Sequence, residues 1–169
     1  HGFIIAIYFV AYLILFGYLE QRPVRAYHVV HTVFDDMIPF CEIFIIPYLL
    51  WFPYVVITVV YFLFRNKNKK EYFQLIFNLM MGMTVFLVVS YIYPNVQYLR
   101  PAVFPRSNIF TRLVAEIYRT DTPTNILPSI HVFNSLAVYF AIHHCQALKD
   151  RKWLQRGALI LSVLIILST

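Results

Sequence analysis

Four long apolar runs and the start of a fifth divide the chain. Phe3 to Leu19 is the first, and Ile43 to Phe64, which carries Pro47 and Pro53, is the second. Phe73 to Tyr93 is the third. His131 to Leu148 is the fourth and the most mixed, with Asn134, Ser135, His143 and His144 inside it. Leu159 opens a fifth run that continues to Thr169. An α-helix of about 20 apolar residues crosses the hydrocarbon core of a bilayer, so each run predicts a membrane helix. The two prolines kink the second run without disqualifying it, because spans tolerate proline where neighbours satisfy the freed backbone groups. Aromatic residues cluster at the run ends (Tyr61, Phe62, Phe64, Tyr72, Phe73, Tyr91, Tyr93, Trp153), where an interfacial belt places them. A shorter pattern lies between the third and fourth runs. From Asn108 to Arg119, apolar residues at 110, 113, 114, 117 and 118 oppose Asn108, Arg112, Glu116 and Arg119. That spacing predicts a short amphipathic helix lying at the interface. Its polar stripe faces water, or else turns Arg112 or Arg119 toward an anionic headgroup.

Composition narrows the class. The chain is 60% hydrophobic and only 13% charged, with mean hydropathy +0.67. A soluble domain carries about 25% charged residues, so too little polar surface remains to wrap this chain in water. Disorder, a collagen-like chain, a disulfide scaffold and an ordinary cytosolic enzyme are excluded. The first run lacks a small-residue cleavage site and reads as a span, not a signal peptide. A start at His1 and an apolar run still open at Thr169 read as a fragment of a longer protein. Without internal repeats or low-complexity tracts, residues 1–169 read as a single membrane-embedded domain lacking its C-terminal part. Cys41 and Cys145 fall near opposite membrane faces and do not pair.

The net charge of +6 changes the picture through its distribution. Arg65, Lys67, Lys69, Lys70 in one short link and Lys149, Arg151, Lys152, Arg156 in another oppose only Glu71 and Asp150. The other two connections, 20–42 and 94–130, carry six arginines against six acids and no lysine. The excess therefore sits on alternate links. The positive-inside rule places those two links in the cytoplasm and faces 20–42 and 94–130 outward. Nucleic acid is not an expected partner; membrane lipids are.

The outward segment 94–130 holds the candidate chemistry. Arg100-Pro101 opens it, and Pro128-Ser129-Ile130-His131 closes it on the fourth run. Proline followed by serine predicts a helix start. Such a start offers unpaired amides and a positive dipole end to an anion. Ser129 adds a hydroxyl, His131 a titratable imidazole, and Arg100 a bidentate phosphate grip. Together they suit a phosphate ester whose tail lies in the bilayer.

At these residues the chain resembles the type 2 phosphatidic acid phosphatase superfamily, whose signature is Lys-x6-Arg-Pro, Pro-Ser-Gly-His and Ser-Arg-x5-His-x3-Asp. Arg100-Pro101 matches the end of the first part, and Pro128-Ser129-Ile130-His131 the second with Ile130 for glycine. A hydrophobic residue there looks like the branch of inositol phosphorylceramide synthases. Asp35-Asp36-Met37-Ile38-Pro39-Phe40 with Pro47-Tyr48 is similar to bacterial members of that branch. The resemblance implies an all-α polytopic bundle of six helices when complete, with about five spans present here. It implies that Arg100, Ser129, Ile130 and the arginines 112 and 119 bind the substrate phosphate. It implies that His131 protonates the leaving alkoxide, that no metal or cofactor is needed, and that the substrate is a phosphorylated lipid at the non-cytoplasmic face of the cell membrane. A phosphohistidine intermediate would form on a histidine beyond Thr169, with Ser168-Thr169 as the first two positions of the third part. On this reading the fragment is inactive and the full-length protein is a lipid phosphatase or phosphotransferase. Tyr93 stands where the signature lysine belongs, so Arg106, Arg112 or Arg119 would supply that charge. The alternative is a non-catalytic membrane protein, either a transporter subunit or a lipid-binding relic of the same fold.

Other polar residues have plainer readings. His143 and His144 lie 12 residues and about 18 Å along a helix from His131, and read as interfacial. His28, His31 and Asp35 are spaced as one helix face, which fits hydrogen-bonded surface, a headgroup pocket or a metal site. Arg22 and Arg25 read as anchors after the first span. Met80, Met81 and Met83 fit packing, and Gly82 allows close helix approach.

Overall fold

A computed structural model describes residues 2–33 and 35–169. Helices dominate it. They are α1 (Gly2–Gln21), α2 (Ile45–Phe64), α3 (Lys69–Ile92), α4 (Ile109–Thr120), α5 (Ile130–His144) and α6 (Lys152–Leu167). Two strands of two residues, β1 (His28–Val29) and β2 (Asn95–Val96), complete the regular structure with three short 3-10 turns. The all-α class is thus observed.

Among the described residues, three segments are long and apolar enough to cross a membrane: Phe3–Gln21, Glu42–Phe64 and Lys69–Ile92. Within the most apolar window of the first, only 11% is buried by the protein. Side chains such as Phe3, Ile7 and Ile14 project outward, as lipid contact requires and water would penalise. The five expected spans are not all supported. α5 has 15 residues and α6 has 16, and at 1.5 Å per residue both fall short of the bilayer core. The fourth run breaks because Cys145 turns to an extended backbone and a 3-10 turn, Gln146–Leu148, follows it. Glu71 supports that break by accepting from the Gln146 amide at 3.2 Å.

The chain divides into two compact units. The first comprises His1–Cys41 and Met83–Pro128. In it β1 pairs with β2 in parallel, His28 against Asn95 and Val29 against Val96. Fully buried Asn95 knots this region. Its Nδ2 donates to the carbonyls of Tyr93 and Leu127 at 3.0 and 2.8 Å, and its Oδ1 accepts from the Leu127 amide at 2.9 Å. Arg22 Nη2 donates to the Ser90 and Tyr91 carbonyls, both at 2.9 Å, so it clasps the last turn of α3 and is more than an interfacial anchor. The amphipathic helix forms as α4, with Asn108 as its N-cap in a reciprocal capping box with Thr111.

The second unit comprises Glu42–Gly82 and Ser129–Thr169 and is built on the mutual packing of α2, α5 and α6. Tyr54 Oη lies 3.1 Å from Ser162 Oγ, which donates to the Ser135 carbonyl at 3.2 Å. These bonds stitch the three helices, and Tyr54 Oη also donates to the Ala158 carbonyl at 3.4 Å. Gly82 serves the close approach expected of it. A Cβ at this position would collide with the ring of Phe133 on α5. The basic link is more than a solvated charge run: buried Asn66 donates to Glu71 at 2.7 Å, and Asn68 donates to Glu71 at 3.0 Å.

Candidate functional site

The predicted helix start is present at the head of α5, in the second unit. Ser129 is the N-cap, with an extended backbone (φ −72°, ψ 118°), and its Oγ accepts from the Val132 amide at 3.4 Å. The Phe133 amide is satisfied by the Ser129 carbonyl at 3.1 Å. The amides of Ile130 and His131 find no acceptor among the described residues. Two donors and the positive end of the helix dipole therefore converge beside the Ser129 hydroxyl, whose proton remains free to donate.

His131 is clamped by two rings of α2. Its ring centroid lies 4.8 Å from that of Tyr48, at 27°, and 4.2 Å from that of Trp51, at 47°. Tyr48 and Trp51 are three residues apart, so they share one face of α2. No hydrogen bond to the imidazole nitrogens forms among the described residues, and the clamp therefore fixes the ring plane without occupying its edge. His131 lies outside the three spanning segments. Burial without a charged partner pushes its pKa down to about 4, so the resting imidazole is neutral. One turn further along the same face, Asn134 Oδ1 and Ser135 Oγ are buried without a partner among the described residues, as is Trp51 Nε1.

Arg100 belongs to the first unit, at the C-terminal end of α4. Its Nη1 donates to the carbonyls of Tyr118 and Asp121 at 3.2 and 2.8 Å, and its guanidinium carbon stands 4.4 Å from the Tyr118 ring centroid. Nη2 lies 3.7 Å from Asp121 Oδ2, an ion pair without a hydrogen bond. One edge of the guanidinium thus caps the helix, while the Nε–Nη2 edge carries no hydrogen bond among the described residues. Partial burial raises the Asp121 carboxyl above its ordinary range, and the Arg100 charge partly offsets this. Burial likewise raises the Tyr118 phenol against the pull of Arg100.

The other predicted phosphate ligands divide. Arg112 is exposed and has no acidic partner among the described residues. Arg119 is paired with Glu116 at 3.0 Å. Tyr93, at the position of the signature lysine, stacks on His28 with centroids 4.0 Å apart and planes 9° from parallel.

One expectation is corrected. His28, His31 and Asp35 do not share a helix face, because the segment is extended at β1 and turns into a 3-10 helix at Asp35–Met37. Strand pairing overrides the local spacing, with the His28 amide bonded to the Pro94 carbonyl and that of Val30 to the Val96 carbonyl. His31 instead contacts Asp36 at 3.0 Å, and no group of three metal-binding side chains converges among the described residues. His143 and His144 end α5, and His144 Nδ1 lies 2.9 Å from the Phe140 carbonyl. Both cysteines are free. Sequence reasoning missed Trp51 in the clamp and Tyr118 under Arg100. A tryptophan in the middle of an apolar run, away from the interfacial belt, was the available signal for the first.

No protein-family model, no curated protein and no solved structure matches the chain.

Proposed function

We propose that the intact protein cleaves or transfers a phosphate ester of a membrane lipid at the non-cytoplasmic surface, with the head of α5 as its phosphate cradle. The observation that carries this reading is the clamped, edge-free imidazole of His131 beside two unpaired amides and a hydroxyl. The amides of Ile130 and His131 and the Ser129 hydroxyl would receive phosphate oxygens. Arg100 is a phosphate ligand by the resemblance alone; within its own unit its Nε–Nη2 edge is unbonded among the described residues and its Nη1 is braced by the Tyr118 and Asp121 carbonyls. A phosphate dianion at the cradle favours the imidazolium, so substrate binding would bring the proton that His131 then passes to the leaving alkoxide. Water or a lipid hydroxyl would complete the turnover. The nucleophilic histidine implied by the resemblance would follow Thr169. In the same reading the links 65–72 and 149–158 face the cytoplasm, 20–42 and 94–130 face outward, and α5 and α6 join a six-helix bundle.

A second reading keeps the lipid site without catalysis. Tyr93 stacked on His28 favours it, because an aromatic stack then occupies the position of the signature lysine.

One assay separates the two. Phosphate release and transfer are measured on the full-length protein in detergent, across lipid headgroups, with and without EDTA. Catalysis predicts that His131→Ala lowers turnover at least about 100-fold at unchanged melting temperature, and that EDTA has no effect. Equal turnover in His131→Ala removes His131 from the chemistry, and no turnover on any headgroup leaves the relic reading.

A further inference from the structure

Three polar atoms lie buried close to His131 in the second unit. They are Trp51 Nε1 on α2 and Asn134 Oδ1 and Ser135 Oγ on α5, and none has a hydrogen-bond partner among the described residues. Asn134 is 5% exposed and Ser135 0%, so bulk solvent does not serve them. Leaving a buried polar group unbonded is costly, and native interiors pair the large majority of such groups with protein or ordered water. A serine inside a helix can return its proton to the carbonyl one turn back, but Ser135 Oγ makes no such bond. The Ser135 carbonyl accepts from Ser162 Oγ at 3.2 Å, which ties α6 to α5 and leaves the Ser135 hydroxyl unused.

The three side chains are neighbours of one ring. The Trp51 ring centroid lies 4.2 Å from that of His131. Asn134 and Ser135 stand three and four residues beyond His131, a spacing that puts Cβ atoms about 5–6 Å apart on one helix face. Side chains on a helix lean toward its N-terminus, so both lean over the turn that carries His131. The polar atoms do not bond one another directly, whereas one water making two bonds of about 2.8 Å bridges groups up to about 5.6 Å apart. The donor and acceptor inventory fits a water as well. An indole N–H only donates, an amide oxygen only accepts, and a hydroxyl does both. A water that accepts from Trp51 and donates to Asn134 has capacity left for Ser135 Oγ and one imidazole nitrogen. That meets the about 2–4 polar partners a buried water needs.

We infer that Trp51, Asn134 and Ser135 bind one water molecule against the edge of the His131 ring. The aromatic clamp holds this ring by its faces, and the water holds one nitrogen. The bond at that nitrogen sets which of the two carries the proton, and it leaves the other to the leaving alkoxide. Asn134 and Ser135 are thereby positioning residues for His131. The water site does not need the lipid-phosphate reading; its effect on turnover rests on it.

Indole resonances test the site without turnover, because residues 1–169 hold two tryptophans and the other, Trp153, is 70% exposed. The full-length protein is labelled with nitrogen-15 tryptophan and placed in deuterated detergent, and Trp51→Phe assigns the Trp51 peak by its loss. The Trp51 indole proton should show a nuclear Overhauser effect to a long-lived water. Asn134→Leu, which keeps the bulk and removes the acceptor, should abolish that effect. Ser135→Ala removes a single oxygen at a position where alanine favours the helix, and should weaken it. This second variant decides if Asn134→Leu does not fold. No water signal at Trp51 in wild type, or an undiminished signal in Ser135→Ala, overturns the site. In the lipid-phosphate assay Ser135→Ala should lower kcat about tenfold at unchanged KM, as expected for a misaligned acid. A lost water signal with unchanged kcat overturns the positioning role and leaves the water site standing. A water signal in a protein that turns over no lipid overturns the lipid-phosphate reading alone, so the two failures are told apart.

Discussion

The head of α5 and the tail of α4 are two helix ends in opposite electrostatic states. At the head of α5 two amides are unpaired among the described residues, and the nearest titratable ring is neutral and, among those residues, held only by its faces. At the tail of α4 the exposed carbonyls of Tyr118 and Asp121 are capped by a guanidinium that also covers an aromatic ring. A helix tail is negative, so Arg100 is already favourably placed without any ligand. A helix head is positive, and nothing anionic among its described neighbours balances it. The lesson is that the same kind of segment end can be closed by the fold or left open, and that among the described residues the α5 head is the open one.

The sharpest way to break this contrast is through pH. The His131 pKa is lowered from 6.5 in the unfolded chain to about 4 in the fold. Below pH 6.5 the unfolded state takes up a proton that the folded state refuses, so stability is fully present above 6.5 and falls as pH drops toward 4. Melting of wild type should decline between pH 7 and about pH 4.5 by roughly 2 kcal/mol more than that of His131→Phe, which keeps an aromatic ring in the slot. Parallel pH profiles for the two proteins would mean that the imidazole is not desolvated by its clamp.

The next effect concerns how the α5 head is seated. In Gly82→Ala the new methyl group meets the Phe133 ring, and overpacking of this kind costs about 1–3 kcal/mol. Helix propensity returns about 1 kcal/mol, since alanine replaces glycine inside α3, so the net loss should be up to about 2 kcal/mol in thermal unfolding. Gly82→Ala/Phe133→Ala should recover part of the loss relative to Phe133→Ala alone. Additive losses would show that the two residues do not share the space.

Much of this was legible because it is local. The apolar runs located α1, α2 and α3, and 3.6-residue periodicity with Asn108 ahead of it located α4 within a residue at either end. Proline before serine located the start of α5. What stayed hidden depends on residues distant in sequence. The break at Cys145 involves Glu71, 75 residues from Gln146, which no window over the fourth run contains. The extended conformation of His28 is set by pairing with Asn95, against a spacing that locally suggested a helix. The role of Arg100 as a cap depends on the chain returning at 118–121, so its motif suggested only a ligand contact. Local pattern predicts elements, whereas the identity of the group that satisfies an end is a tertiary fact.

The smallest predicted effect tests the α4 side of the comparison. Arg100→Gln removes a favourable charge at a helix tail, worth about 0.3–1 kcal/mol, and a cation over Tyr118, worth about 0.5–1 kcal/mol at an exposed site. Because glutamine can still reach one carbonyl, the expected loss in thermal unfolding is about 1 kcal/mol. Arg100→Lys separates capping from catalysis. Lysine keeps the charge and one donor to the Tyr118 or Asp121 carbonyl, so stability should stay close to wild type. It lacks the planar fork, so phosphate turnover in the full-length protein should fall further than in Arg25→Lys. If the two lysine variants turn over equally while Arg100→Gln still unfolds early, Arg100 serves α4 alone, and the phosphate must find its second positive contact elsewhere. The α5 head would then remain the open end of the pair, with its amides, hydroxyl and imidazole unaltered by the loss of Arg100 from the site.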